Sequence, residues 1–157
     1  MEHYDNLKLD HQLCFALYSA THAFTRAYRN DLDKFGLTYS QYLIMLVLWE
    51  NDACTVSDIA KRLQLDVGSI TPVLKRLETT GFVARNRSKN DERVVIINLT
   101  EAGHHLKHDV APVQQCVEAQ TGLSKQDFTV LKKALHQLTS HMNAGQTDLK
   151  DDSPASN

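Results

Sequence analysis

Three cysteines, at positions 14, 54 and 116, are the nucleophiles of this sequence. Cys14 has the most suggestive surroundings. Asp10 stands four residues ahead of it as a fitting helix N-cap. That would set Cys14 in the first turns of a helix, where the dipole favours a thiolate and raises reactivity. Tyr18 follows at i+4, within reach of the sulfur of its own chain. Tyr28 is fourteen residues on, roughly 21 Å along a straight helix, so it can meet Cys14 only from a second copy of the chain. Phenolic hydroxyls donating to the sulfur would stabilise thiolate over thiol. Taken alone, however, a free cysteine is more often a small buried hydrophobe, and tyrosine is common in cores. Both readings stand on these residues.

Other chemistry is sparse. His104 and His108 form an i, i+4 pair of the kind that binds metal, but no third or fourth ligand accompanies them. They read as a solvated helix face, and no metal is expected. Cys54, in DACTV, reads as a bystander in a turn. Gly-rich phosphate loops and a Ser/His/Asp order are absent from the sequence, so no cofactor is expected.

The 157 residues predict one domain with a sizeable core, and 42% apolar with 23% charged residues is ordinary for a globular protein. No apolar run approaches the roughly 18 residues of a membrane span. The start MEHYDNLKLD lacks the apolar stretch of a signal peptide, and three cysteines suit a reducing compartment, so a cytoplasmic protein is expected. The net charge of −2 is unevenly spread. Residues 55–93 hold eight Lys/Arg against five Asp/Glu, a local +3, which leaves −5 elsewhere. A basic stretch in an acidic chain is a footprint of nucleic-acid binding.

Periodicity supplies the elements that must position these groups. Apolar residues at 13, 17, 20, 24, 27, 28, 32 and 35 predict a first helix ending at Gly36. Thr38 with Gln41 is a capping-box pattern opening a second, apolar nearly all round and so central to the core. Thr55 with Asp58 opens a short third helix, SDIAKRL. After QLDVGS a fourth carries Ile70, Val73, Leu74 and Leu77 on one face, begins near Gly68 or Ser69 to tolerate Pro72, and ends at Gly81. Residues 82–85 and 93–99 are β-branched strands around the polar hairpin tip NRSKND. Thr100 opens a fifth helix reaching Gln120; Ser124 with Asp127 opens a sixth ending near Met142. The polar tail 143–157 is expected to be disordered.

Two short helices followed by a basic hairpin predict a winged helix-turn-helix, mainly α with a small β wing. Opposite the apolar face of the fourth helix lie Ser69, Thr71, Lys75 and Arg76, placed to meet base edges and phosphates in a major groove. Arg85, Arg87, Lys89 and Arg93 are assigned to the hairpin tip, where arginine suits a narrow minor groove.

SDIAKRL, with DVGSITPVLKRLETTGFVARNRSKNDERVVIINLTEAG, resembles the MarR family of dimeric bacterial regulators over residues 9–142. DER and LTEAG are its most specific marks. The resemblance implies that Asp91 braces the wing and that Arg93 enters the minor groove. It also implies six-helix subunits in an interlocked homodimer, with 10–36 and 100–142 as dimerisation helices and 38–100 as core helix and head. A single head of this size reaches only a half-site, which independently favours a dimer on a pseudo-palindromic duplex. Within the family, QLCFALYSA and GSITP resemble the OhrR branch of organic hydroperoxide sensors, whose reactive cysteine and tyrosines match Cys14, Tyr18, Tyr28 and Tyr39. Some members of that branch carry a resolving cysteine in the fifth helix. Cys116 lies there, so the resemblance implies an intersubunit Cys14–Cys116 disulfide.

The expected function is a DNA-binding repressor that senses organic hydroperoxide through Cys14 and releases its operator. Two rivals fit parts of the pattern: a MarR-type repressor answering a small phenolic ligand in the cleft between head and dimer region, and a thiol-dependent peroxidase. Against the latter, catalysis has no use for a DNA-reading head.

Overall fold

The computed structural model describes residues 4–151. Among them are six α-helices and one three-stranded antiparallel sheet. Length alone predicts a single domain over 1–157; packing separates two compact units, residues 1–117 and 118–157, with the boundary inside the fifth helix.

Helix α1 (Leu13–Leu32) starts at Gln12, not at Asp10. Asp10 is taken up in a 3-10 turn, Leu9–His11, and the Gln12 amide turns back to donate to the carbonyls of Asn6 and Lys8. Cys14 is therefore the second helical residue. A 3-10 turn (Asp33–Phe35) extends the helix to Gly36, whose φ of +68° suits a residue without Cβ.

Helix α2 (Tyr39–Glu50) begins with the expected reciprocal cap. The Gln41 N–H donates to Thr38 Oγ1 at 3.3 Å, and the Thr38 N–H to Gln41 Oε1 at 2.8 Å. Tyr42, Ile44, Met45, Val47 and Leu48 are buried, as a helix apolar on all sides requires. Strand β1 (Cys54–Thr55) was not anticipated; its two residues pair with a strand more than forty positions later.

Helix α3 (Val56–Leu63) carries a second capping box, Thr55 with Asp58. Helix α4 (Val67–Thr79) starts ahead of Gly68, because the carboxylate of Asp66 caps it by accepting from the Ser69 N–H at 2.8 Å. Pro72 thus lies in the second turn, where it leaves the Gly68 carbonyl without its helical donor. Ile70, Leu74 and Leu77 are buried at 2% exposure or less, each side chain contributing about 1.5–3 kcal/mol.

Strands β2 (Val83–Arg87) and β3 (Val95–Leu99) pair from Val83↔Leu99 to Arg87↔Val95, and the sheet order is β1-β3-β2. The ladder runs two residues further along the first strand than its apolar pattern predicts. Arg85 and Arg87 accordingly stand on β2 and not at the hairpin tip.

Helix α5 (Glu101–Gln120) buries Gly103, Leu106, Val110, Val113 and Val117, a three-and-four spacing that is one face. In the second unit, α6 (Lys125–Asp151) starts behind Ser124, whose Oγ accepts from the Asp127 N–H at 3.1 Å. It continues nine residues past Met142, since no proline interrupts it before position 154. The helix therefore takes in the first part of the segment expected to be a disordered tail; residues 152–157 lie outside the described residues.

Candidate nucleic-acid interface and thiol site

The outer face of α4 presents Ser69, Thr71, Lys75 and Arg76, all exposed, while its inner face is anchored in the core. The two hydroxyls are already oriented. Ser69 donates to Asp66 Oδ2 at 2.7 Å and Thr71 to the Val67 carbonyl at 2.8 Å. Their remaining lone pairs point outward as acceptors. The hydrogen bonds from the Ser69 hydroxyl and N–H hold the Asp66 carboxyl below the usual carboxylate range. A fixed negative charge thus sits at the start of α4, and the cationic residues of its outer face, Lys75 and Arg76, lie further along.

In the wing, Ser88 N–H donates to the Val94 carbonyl at 2.8 Å and closes the loop. Asp91 holds its tip: its carboxylate accepts from the Arg93 N–H at 2.9 Å, and its carbonyl from the Val94 N–H at 3.0 Å. Lys89 and Arg93 are exposed on this loop; Arg87 is exposed and Arg85 half-buried on β2. The structure thus separates the four basic residues assigned together to the tip into two on a strand and two on the loop.

The thiol residues are spread over the first unit. Cys14 and Cys116 are exposed free thiols, and Cys54 is buried. Burial, helped by the carboxylates of Asp58 and Asp52, pushes the Cys54 thiol up, and its S–H donates to the Asn51 carbonyl at 2.9 Å. Tyr18 does not engage Cys14. Its ring packs edge-on against His22 at 4.2 Å, and among the described residues the Cys14 thiol makes no hydrogen bond.

Tyr28 and Tyr39 do come together, with centroids 5.2 Å apart. Between them and the core sits Tyr42, 5.3 Å from Tyr28 and 6.4 Å from Tyr39. Sequence reasoning missed Tyr42; its i+3 offset from Tyr39 was the available signal. Burial raises the phenols of Tyr39 and Tyr42, and for Tyr42 a hydrogen bond from Tyr28 opposes the rise. Both remain protonated donors at neutral pH.

Cys14 and these tyrosines mark opposite ends of α1. Cys116 belongs to the far end too. Lys34 is held protonated above its ordinary range, first by its hydrogen bond to Asp31 at 2.8 Å and last by the nearby Cys116 sulfur. Cys14 and Leu32 are eighteen residues apart on α1, roughly 27 Å, far beyond the 4.4–6.8 Å between Cα atoms that a disulfide needs.

A family model described as the transcriptional regulator SarA/Rot matches residues 26–110, from the second half of α1 to the middle of α5. The HTH-type transcriptional regulator TtmR of Methylorubrum extorquens (strain PA1) is 45% identical over 155 residues, covering 98% of this chain and 77% of that one. The chain belongs to this family of MarR-type transcriptional regulators. The organic hydroperoxide resistance transcriptional regulator of Bacillus subtilis (strain 168) is 44% identical over 138 residues, 86% of this chain and 92% of that one. Reduced AbfR bound to DNA, from Staphylococcus epidermidis, superposes with a TM-score of 0.73 at 34% identity, covering 88% of this chain and 96% of that one. AbfR with its disulfide formed superposes at 0.62 and 33% identity, over 90% and 94% of the two chains. This MarR-type regulator is therefore a DNA-binding protein of the winged-helix class, not an enzyme.

Proposed function

We propose that this regulator is a cytoplasmic homodimeric repressor that grips a pseudo-palindromic operator when reduced and lets go when an organic hydroperoxide oxidises Cys14. The thiolate attacks the peroxide oxygen, the O–O bond breaks, and the alkoxide takes a proton to leave as an alcohol. Sulfur, oxidised by two electrons, becomes a sulfenic acid. The thiolate of Cys116 of the partner subunit then attacks that sulfur and expels hydroxide, which leaves as water, and a disulfide forms. On the DNA side, Ser69, Thr71, Lys75 and Arg76 read the major groove, while Arg85, Arg87, Lys89 and Arg93, braced by Asp91, meet backbone and minor groove.

The observation that carries this reading is the separation along α1 of Cys14 from Tyr28, against which Tyr39 packs, with Cys116 electrostatically linked to Lys34 just past the same far end. Within one protomer these groups can neither stabilise the thiolate nor resolve its oxidised form; an antiparallel partner supplies both. A dimer is supported further by apolar side chains left exposed on α1 (Leu13, Tyr18 and Phe24) and, separately, on α6 (Val130, Leu131 and Met142). Small rotations of the dimer helices suffice for release, since each lost base contact costs about 1–3 kcal/mol.

The test is a mobility shift on a palindromic operator with and without cumene hydroperoxide. Wild type is released, Cys14→Ser stays bound, and Cys116→Ser is released without forming a cross-linked dimer. Release of Cys14→Ser by peroxide would overturn the assignment.

A second reading has one observation in its favour. A cleft of about 260 Å³ between α2 and α5 is lined by Tyr42, Leu46, Trp49, Val110 and Ala111, with Lys107 at its rim. Glu50 and Gln114 also line it, and a largely apolar cleft with a few polar groups at its edge suits a small phenolic effector. That reading requires Cys14→Ser to keep its response to the effector.

A further inference from the structure

Leu65 and Val67 are 50% and 44% exposed, and among the described residues they are the two large apolar side chains of positions 50–120 left in that state. They flank Asp66, where the chain enters α4. Leu65 closes the turn behind α3, its N–H donating to the Ala60 carbonyl at 3.0 Å. Val67 is the first residue of α4, and Thr71 and Lys75 follow it at four-residue intervals along one strip of the helix. The Thr71 hydroxyl donates to the Val67 carbonyl at 2.8 Å. Beside that strip stand Gly68 and Pro72, both exposed, with neither a charge nor a side-chain donor to hold a neighbour at a distance. The first two turns of α4 thus show a low, largely apolar surface to the outside. The Asp66 carboxylate, kept ionised by the hydroxyl and N–H of Ser69, repels phosphates from this end. A base edge can lie there instead, and the apolar group of a base edge in the major groove is the 5-methyl of thymine.

We propose that Val67 is a specificity-determining residue that packs against the 5-methyl group of one thymine in each half-site of the operator. This contact rests on the reading above, in which α4 lies in the major groove; the N-terminal residues of such a helix are the ones that meet base edges. Burial of one methyl is worth about fourfold in affinity, and the two half-sites of a palindrome together about fifteenfold. Lys75 and Arg76, further along the helix, supply charge; Val67 supplies selection.

The experiment uses the full-length reduced protein and a palindromic duplex selected with it from random sequence. Each thymine is replaced by deoxyuridine, symmetrically in the two half-sites, and affinity is read by mobility shift. One such pair of replacements is expected to lower wild-type affinity about fifteenfold. Val67→Ala should bind the intact duplex about tenfold more weakly, respond to the same replacement by less than about twofold, and keep the slope of the salt dependence. Val67→Ile should keep the response. Absence of a sensitive thymine in wild type, with Lys75→Ala still flattening the salt dependence, overturns the methyl contact and leaves α4 on the duplex. Sensitivity that survives Val67→Ala also overturns it, since deoxyuridine then acts through duplex shape or through Leu65 or Thr71. If neither Lys75→Ala nor Arg76→Ala weakens binding, α4 is not the reading helix and the contact falls with it.

Discussion

The indole N–H of Trp49, near the end of α2, donates to the carbonyl of Gly103 in the first turn of α5 at 2.9 Å. Thr100, just ahead of α5, continues the join. Its hydroxyl donates to the Gly81 carbonyl at 2.6 Å and its N–H to the Phe82 carbonyl at 3.1 Å, both at the foot of β2. The central helix α2, helix α5 and the wing are therefore tied at one point. Movement of α5 reaches the wing without passing through a flexible segment.

That join leaves Gly103 no room. A Cβ there would stand 2.1 Å from the Phe82 carbonyl oxygen and 3.2 Å from Leu99 Cδ2. Gly103→Ala is expected to destabilise by about 3 kcal/mol, the upper end of overpacking. Trp49→Phe should cost about 1 kcal/mol for its hydrogen bond. Thermal melts followed by circular dichroism check both; an unshifted midpoint for Gly103→Ala would contradict the packing described.

The three cysteines should separate by reactivity. With its thiol buried, raised and committed to the Asn51 carbonyl, Cys54 should react with an aromatic disulfide reagent only after unfolding. Cys14 and Cys116, both exposed, should titrate in the folded protein. Mass mapping of the labelled peptides reads the order directly.

Removing the Tyr28 hydroxyl tests the proposed support of the Cys14 thiolate by a partner subunit. Tyr28→Phe should slow Cys14 oxidation about tenfold at neutral pH, the scale of one hydrogen bond to a charged acceptor. Its pH profile should also move upward. A merely structural role for Tyr28 would lower stability and leave that profile in place.

Two helix caps make stability sensitive to acid. Asp58 and Asp66 are held below the ordinary carboxylate range by hydrogen bonds from Thr55 and Ser69 respectively. Their folded values are depressed, so their contribution is complete above the unfolded value near 3.9 and is lost as pH falls through the folded values. Urea midpoints should stay level in their dependence on these groups from about pH 5 upward and drop below about pH 4. Asp66→Asn, which still caps, should match wild type near neutrality and lose less in acid.

On DNA, Arg93→Ala and Lys75→Ala should each weaken operator binding and flatten its salt dependence. The slope of log affinity against log salt should fall by about 0.9 for every phosphate contact removed. A variant that loses affinity with its slope unchanged would place that residue on base edges instead.

Much of the architecture was legible because its signals are local. The Thr38–Gln41 and Thr55–Asp58 caps, the apolar stripe Ile70–Leu74–Leu77 and the unbroken apolar run of α2 each act within a few residues, and each appears as read. The errors fall where a longer-range or competing bond wins. Asp10 went to a 3-10 turn because the Gln12 side chain holds the preceding carbonyls, and β1 escaped notice because two residues carry no period. Arg85 and Arg87 left the hairpin tip once cross-strand pairing extended β2.

The sequence by itself determined the order of the six helices and the hairpin and the basic stretch of the head, since periodicity, capping and charge are written residue by residue. Only the tertiary structure decided who meets whom. It brought Tyr42 against Tyr28 and Tyr39, turned Tyr18 from Cys14 to His22 and left Arg26 and Arg29 around one hollow. Those outcomes depend on how rigid helices pack across large sequence separations, where side-chain direction and shared volume, not spacing, select the neighbours.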